Sequence, residues 1–114
     1  MSETRNESGA GDAAVKSRLN ELARKFVTRT TADLASMREG LARADAGDSG
    51  GLELIRQLAH RACGTGGTLG LFALSDAAGA LERTVDACKP GSLPDAEARA
   101  EISACIDAMA AELR

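Results

Sequence analysis

The spacing of the apolar residues is the feature that most restricts the fold of this 114-residue chain. These residues recur at steps of three or four, and no segment alternates apolar and polar residues as a half-buried strand does. The chain has no Trp or Tyr and only two Phe, so few of its residues favour strands. The sequence therefore predicts an all-α fold: an antiparallel up-down four-helix bundle with a flexible or short-helical N-terminal extension.

Turn-forming residues divide the pattern into four helical segments. The clearest turns are Gly47-Asp48-Ser49-Gly50 and Lys89-Pro90-Gly91. The predicted helices run from Val15 to the first turn, from about Leu52 to the glycines at 64–70, over about 72–88, and from Ser92 through Leu113. The run Thr28–Thr31 is β-branched and a poor helix former, so the first segment is either one long helix or two helices with a break.

The two ends of the bundle carry local signals. Ser92-Leu93-Pro94-Asp95 resembles a capping box, with Ser92 as the N-cap of the last helix. Residues 1–12 are polar and without periodicity, and we expect them to form a flexible tail. The bundle would then occupy residues 13–114, a length suited to one domain that stands alone.

Composition argues against several classes of protein. A net charge of -3 without a basic stripe argues against a nucleic-acid partner. No apolar run is long enough for a membrane span, and the polar start lacks the apolar segment of a secretory signal. Cys63, Cys88 and Cys105 are odd in number and widely spaced, which indicates reduced thiols, and a single histidine argues against zinc. We expect a cytoplasmic, metal-free monomer.

His60, the only histidine, lies on the polar face of the second predicted helix. On a helical wheel, Ile55, Leu58 and Ala62 fall on the opposite side and should face the core. The His60 side also holds Glu53, Arg56, Gln57, Gly64 and Gly67, with Cys63 at its edge. An exposed neutral imidazole is a good nucleophile near pH 7. Gly64, one turn further on, leaves room for a phosphoryl group beside the ring, and Gly67 extends that space.

The stretch from Ala59 to Leu71 resembles the phosphorylation motif of the histidine-containing phosphotransfer (HPt) domain family. It has the histidine, three residues, a glycine, further small residues and a closing apolar-Gly pair. Residues 74–82 are similar to the start of the next helix in that family, and the resemblance covers roughly residues 20–112.

The resemblance implies a phosphocarrier without independent turnover. The Nε2 atom of His60 would accept a phosphoryl group from the aspartate of a response-regulator receiver domain and pass it to another receiver. A hybrid histidine kinase is a further partner that the family implies. The chain would need no cofactor, because the receiver supplies Mg²⁺ and a lysine.

One position departs from the family pattern. Many members have a lysine three residues after the histidine, where this chain has Cys63. Arg56 or Arg61 would compensate, and Arg56 is the better directed of the two. The predicted docking residues are Glu53, Gln57, Arg61, Gly67 and Phe72. Phe72 is also a candidate core anchor at the start of the third helix, the interpretation that we prefer.

Two other functions are consistent with the residues. The chain could be an HPt-like binding module that docks a receiver or kinase without carrying phosphate. Alternatively, Cys63, three residues from His60, could form a thiolate pair in a redox protein.

Overall fold

A computed structural model describes the backbone of residues 2–114 and the side chains from residue 11 onwards. Its helices are α1 (Ser2–Asp45), α2 (Gly50–Thr68), α3 (Phe72–Asp86) and α4 (Ala96–Glu112). This part of the chain contains no β-strand, so the predicted all-α class is confirmed. Each helix packs on the next along the chain, and α4 packs back on α1, which gives an up-down four-helix bundle.

The core lies where the apolar faces of the four helices meet. The largest fully buried side chains are Met37, Ile55, Leu81, Ile102, Ile106 and Met109, so every helix contributes. Ala59 and Ala62 line the inner side of α2, whereas Leu58 is only half-buried at the edge of the core. His60 is consequently directed away from the core.

The first helix is continuous, and the break considered at Thr28–Thr31 does not occur. Thr30 is buried in line with Phe26 and Leu34 and completes the apolar stripe. The hydroxyl of Thr31 donates to the carbonyl of Val27 at 2.7 Å, which satisfies it within the helix.

The N-terminal part of α1 extends beyond the other helices. Val15, Leu19 and Leu22 follow the apolar spacing but are 59%, 49% and 40% exposed. The molecule is accordingly elongated, with extents of 65 × 21 × 20 Å. Residues 2–12, which were predicted to be a flexible tail, are helical and form the start of α1, while their flexibility stays a prediction. None of the described helices has the length and apolar character needed to cross a membrane.

The start of α4 differs from the predicted capping box. Asp95, not Ser92, is the N-cap, and its carboxylate accepts a hydrogen bond from the Ala98 amide at 2.8 Å. The reason is Pro94, which disfavours helical geometry at the residue before it and so prevents a helix from starting at Leu93. The helix therefore begins after the proline, with an aspartate that caps it well.

Two glycines bring α1 and α2 into backbone contact. A methyl group on Gly51 would overlap the carbonyl oxygen of Gly40, and one on Gly40 would lie 2.8 Å from the carbonyl oxygen of Gly51. Neither position has space for a side chain. This crossing fixes how α2 lies on α1 and hence which residues α2 presents to α3.

Candidate functional site

The site is built on the antiparallel pairing of α2 and α3. His60 lies opposite Glu82, Cys63 opposite Gly79 and Gly67 opposite Ser75. The Ser75 hydroxyl donates to the carbonyl oxygen of Cys63 at 2.7 Å and ties the two helices together. The groove between the outer faces of α2 and α3 therefore has a fixed register.

His60 stands on the rim of this groove with its side chain 73% exposed. Its Nδ1 atom lies 2.7 Å from Oε2 of Glu82, a carboxylate that is only 21% exposed. A carboxylate accepts, so Nδ1 carries the proton and donates it. In the neutral ring the lone pair is then on Nε2. The pairing thus selects one tautomer and gives the ring a fixed orientation.

The space beside the ring comes from Gly64. A methyl group added there would meet nothing within 4 Å, so α2 is open to solvent one turn beyond His60. Gly67 is closer to α3, since a methyl group there would lie 3.4 Å from the Ser75 hydroxyl. Gly66, between them, is buried against α3. Of the three glycines, Gly64 leaves the largest opening next to His60.

Three of the predicted residues form one cluster in the turn before His60. Arg56 donates two hydrogen bonds to the two carboxylate oxygens of Glu53, at 3.0 and 2.6 Å, and Gln57 donates a third at 3.2 Å. The bonds from Arg56, followed by that from Gln57, lower the pKa of the Glu53 carboxyl. The hydrogen bond to Glu53 raises the pKa of Arg56, as do the nearby negative charges of Asp86 and Glu82.

The other predicted residues are dispersed. Arg61 is directed towards α1 and donates to Asp33 at 2.7 Å. Cys63 is half-buried in the groove, with its thiol 3.7 Å from the Ser75 hydroxyl. Phe72 is 67% exposed, so its interpretation as a core anchor is wrong. It begins α3 at the end of the bundle, ten residues or about 15 Å along the helix from Glu82.

The pairing of Glu82 with His60 was not predicted from the sequence. This residue follows the core residue Leu81 and precedes Arg83, and it looks like an ordinary surface carboxylate. It meets His60 across 22 residues of sequence, and only the register of α2 against α3 makes them partners. One signal in the sequence could have indicated this role. Glu82 is a charged residue next to the apolar stripe of the third helix, on a side that can face the second helix.

The comparisons with known proteins agree with this geometry. The family model described as Hpt domain matches residues 21–114, most of the chain. A search of curated proteins and a search of solved structures each gave no match. The chain therefore belongs to the Hpt domain family, whose members are phosphocarrier modules of two-component systems.

Proposed function

We propose that this protein is a phosphorelay intermediate that accepts a phosphoryl group on His60 from the aspartate of one receiver domain and passes it to another. The observation that carries this proposal is the 2.7 Å hydrogen bond from Nδ1 to Glu82 on a ring that is otherwise exposed. It supports an Nε2 atom that is unprotonated, directed outwards and accessible to another protein's active site.

The chemical step follows from this tautomer. The lone pair of Nε2 attacks the phosphorus of the aspartyl phosphate, the N–P bond forms, and the P–O bond to the aspartate breaks. The bonding electrons leave with the aspartate as a carboxylate. Nδ1 keeps its proton, and the positive charge that develops on the ring is next to the Glu82 carboxylate. Transfer to the second receiver reverses these steps.

The site needs few residues, because the receiver domain would supply part of the chemistry. Phosphoryl transfer depends mainly on positioning and on neutralising charge. The receiver would bring Mg²⁺ and its own cation, while this chain brings the nucleophile and a surface for docking. That surface would centre on His60 and Gly64 and include Glu53, Gln57 and Gly67. Arg61, which faces α1, and the exposed Phe72, at the start of α3, would lie at its edges.

The experiment is transfer from receiver domains charged with radiolabelled acetyl phosphate. We expect label to move to this chain, to be acid-labile, and to be absent from the His60→Gln variant. Since His60 is the only histidine, the variant leaves no alternative acceptor of this kind. Binding to the receivers without any loss of their label would overturn the proposal and favour the binding module. Circular dichroism of the variant checks that it remains folded.

A further inference from the structure

The two predicted cations of the site are each paired with a carboxylate of this chain. Arg56 is held by Glu53 through two hydrogen bonds, and Arg61 is held by Asp33 of α1. Cys63, at the family's lysine position, brings no positive charge. A phosphoryl group on Nε2 would carry close to two negative charges and would need donors in the groove.

Arg83 of α3 lies at this place in the groove. A methyl group on Gly79 would be 3.3 Å from Nη1 of Arg83 and 3.4 Å from the thiol of Cys63. The guanidinium therefore folds back over Gly79, and it borders the same small space as the Cys63 thiol. Gly79 itself is buried.

Arg83 is also free to bind an anion. It takes part in none of the side-chain hydrogen bonds or ion pairs found among the described residues, and it is exposed. It follows Glu82 directly, so its stem begins beside the residue that holds the His60 ring. From there it runs one turn back along α3, towards the level of Cys63 and Gly64.

We propose that Arg83 contacts the phosphoryl group of phosphorylated His60 and supplies from α3 the positive charge that the family commonly places at position 63. Two guanidinium N–H groups match two phosphoryl oxygens, a geometry that a lysine cannot reproduce. This inference rests on the proposed function. The proposed function concerns which residue accepts the phosphoryl group, whereas this inference concerns how stable the phosphorylated form is.

The test is the equilibrium constant for transfer between this chain and a receiver, measured as the ratio of labelled proteins at concentrations too low for a complex. Because only free proteins then matter, changes in docking do not affect the constant. We expect Arg83→Gln to shift the equilibrium towards the receiver by about three- to tenfold. The double variant Cys63→Lys with Arg83→Gln should recover most of the shift.

The matched control is Arg38→Gln, which removes the same charge from an arginine that pairs with Asp107 of α4 at 3.0 Å. It should leave the equilibrium unchanged. If the Arg83→Gln variant acquired label but had the wild-type equilibrium constant, the role of Arg83 would be overturned and the phosphorelay function would stand. A wild-type chain that acquires no label would overturn both. A merely structural role at the end of α3 would lower the melting temperature without moving the constant.

Discussion

At the scale of single residues, Glu82 should control the reactivity of His60. Glu82→Ala removes the acceptor for Nδ1–H, so the ring is free to rotate and to place its proton on Nε2. A hydrogen bond to a charged group contributes about 1.5–3 kcal/mol. We therefore expect the single-turnover rate of phosphoryl transfer to fall by roughly 10- to 100-fold.

The Glu82→Gln variant is the matched comparison. Its amide oxygen still accepts from Nδ1–H but has no charge to balance the developing imidazolium, so its loss of rate should be smaller than that of Glu82→Ala. Nitrogen chemical shifts of the only histidine report the tautomer directly. Equal rates in the wild type and both variants would show that the carboxylate has no part in the reaction.

The residues of the site were predictable to the extent that they share one helix. The wheel places His60, Gly64 and the cluster around Glu53 on one exposed face of α2, where the structure has them. A helical wheel could not assign partners on different helices, because it does not show which residues of one helix lie opposite which residues of the next. Glu82 beside His60, Asp33 beside Arg61, and Arg83 beside Cys63 each depend on how one helix lies on another.

At the scale of helices, glycines on two sides of α2 should respond oppositely to the same substitution. Gly51→Ala places a methyl group against the backbone of Gly40 and must push α1 and α2 apart. Overpacking of this kind costs about 1–3 kcal/mol, or more where only backbone can move. We expect the free energy of unfolding to fall by at least that amount, measured by urea denaturation.

Gly64→Ala is the control within the same helix. Its methyl group meets nothing within 4 Å, so the gain in helix propensity should raise the free energy of unfolding by about 0.5–1 kcal/mol. If Gly51→Ala proved as stable as the wild type, the close contact between α1 and α2 would not exist in solution.

The helices themselves were largely predictable, and their ends and surroundings less so. The apolar period located α2 and α3 to within a few residues, because it reflects burial along one face. The period also runs through Val15, Leu19 and Leu22, yet these residues are exposed. Periodicity indicates a helix with an apolar stripe, but it contains no information on whether another helix is long enough to cover that stripe.

At the scale of the whole molecule, the first and last helices are joined by ion pairs between residues far apart in sequence. Arg99, near the start of α4, donates to both carboxylate oxygens of Asp45, at the end of α1, at 2.8 and 2.9 Å. Arg38 and Asp107 form a second link between the same helices. These pairs close the ring of four helices.

The ion pair between Asp45 and Arg99 should make the contact between α1 and α4 sensitive to acid. The hydrogen bond from Arg99 lowers the pKa of the Asp45 carboxyl below its ordinary value of 3.8, and the hydrogen bond from Arg43 does the same for Asp48. A group whose pKa is lower in the folded than in the unfolded state stabilises the fold above the unfolded value. That stabilisation is lost as the pH falls through the folded value.

We therefore expect the contribution of these pairs to the melting temperature to be constant between about pH 7 and pH 5 and to be lost below about pH 4. Thermal melts followed by circular dichroism measure this dependence. Arg99→Gln should lower the melting temperature at neutral pH and reduce the further fall in acid, because Asp45 then titrates alike in both states. Both residues are exposed, so the difference should also shrink in high salt. An acid transition identical in the variant and the wild type would mean that the link between α1 and α4 contributes nothing to the stability of the bundle.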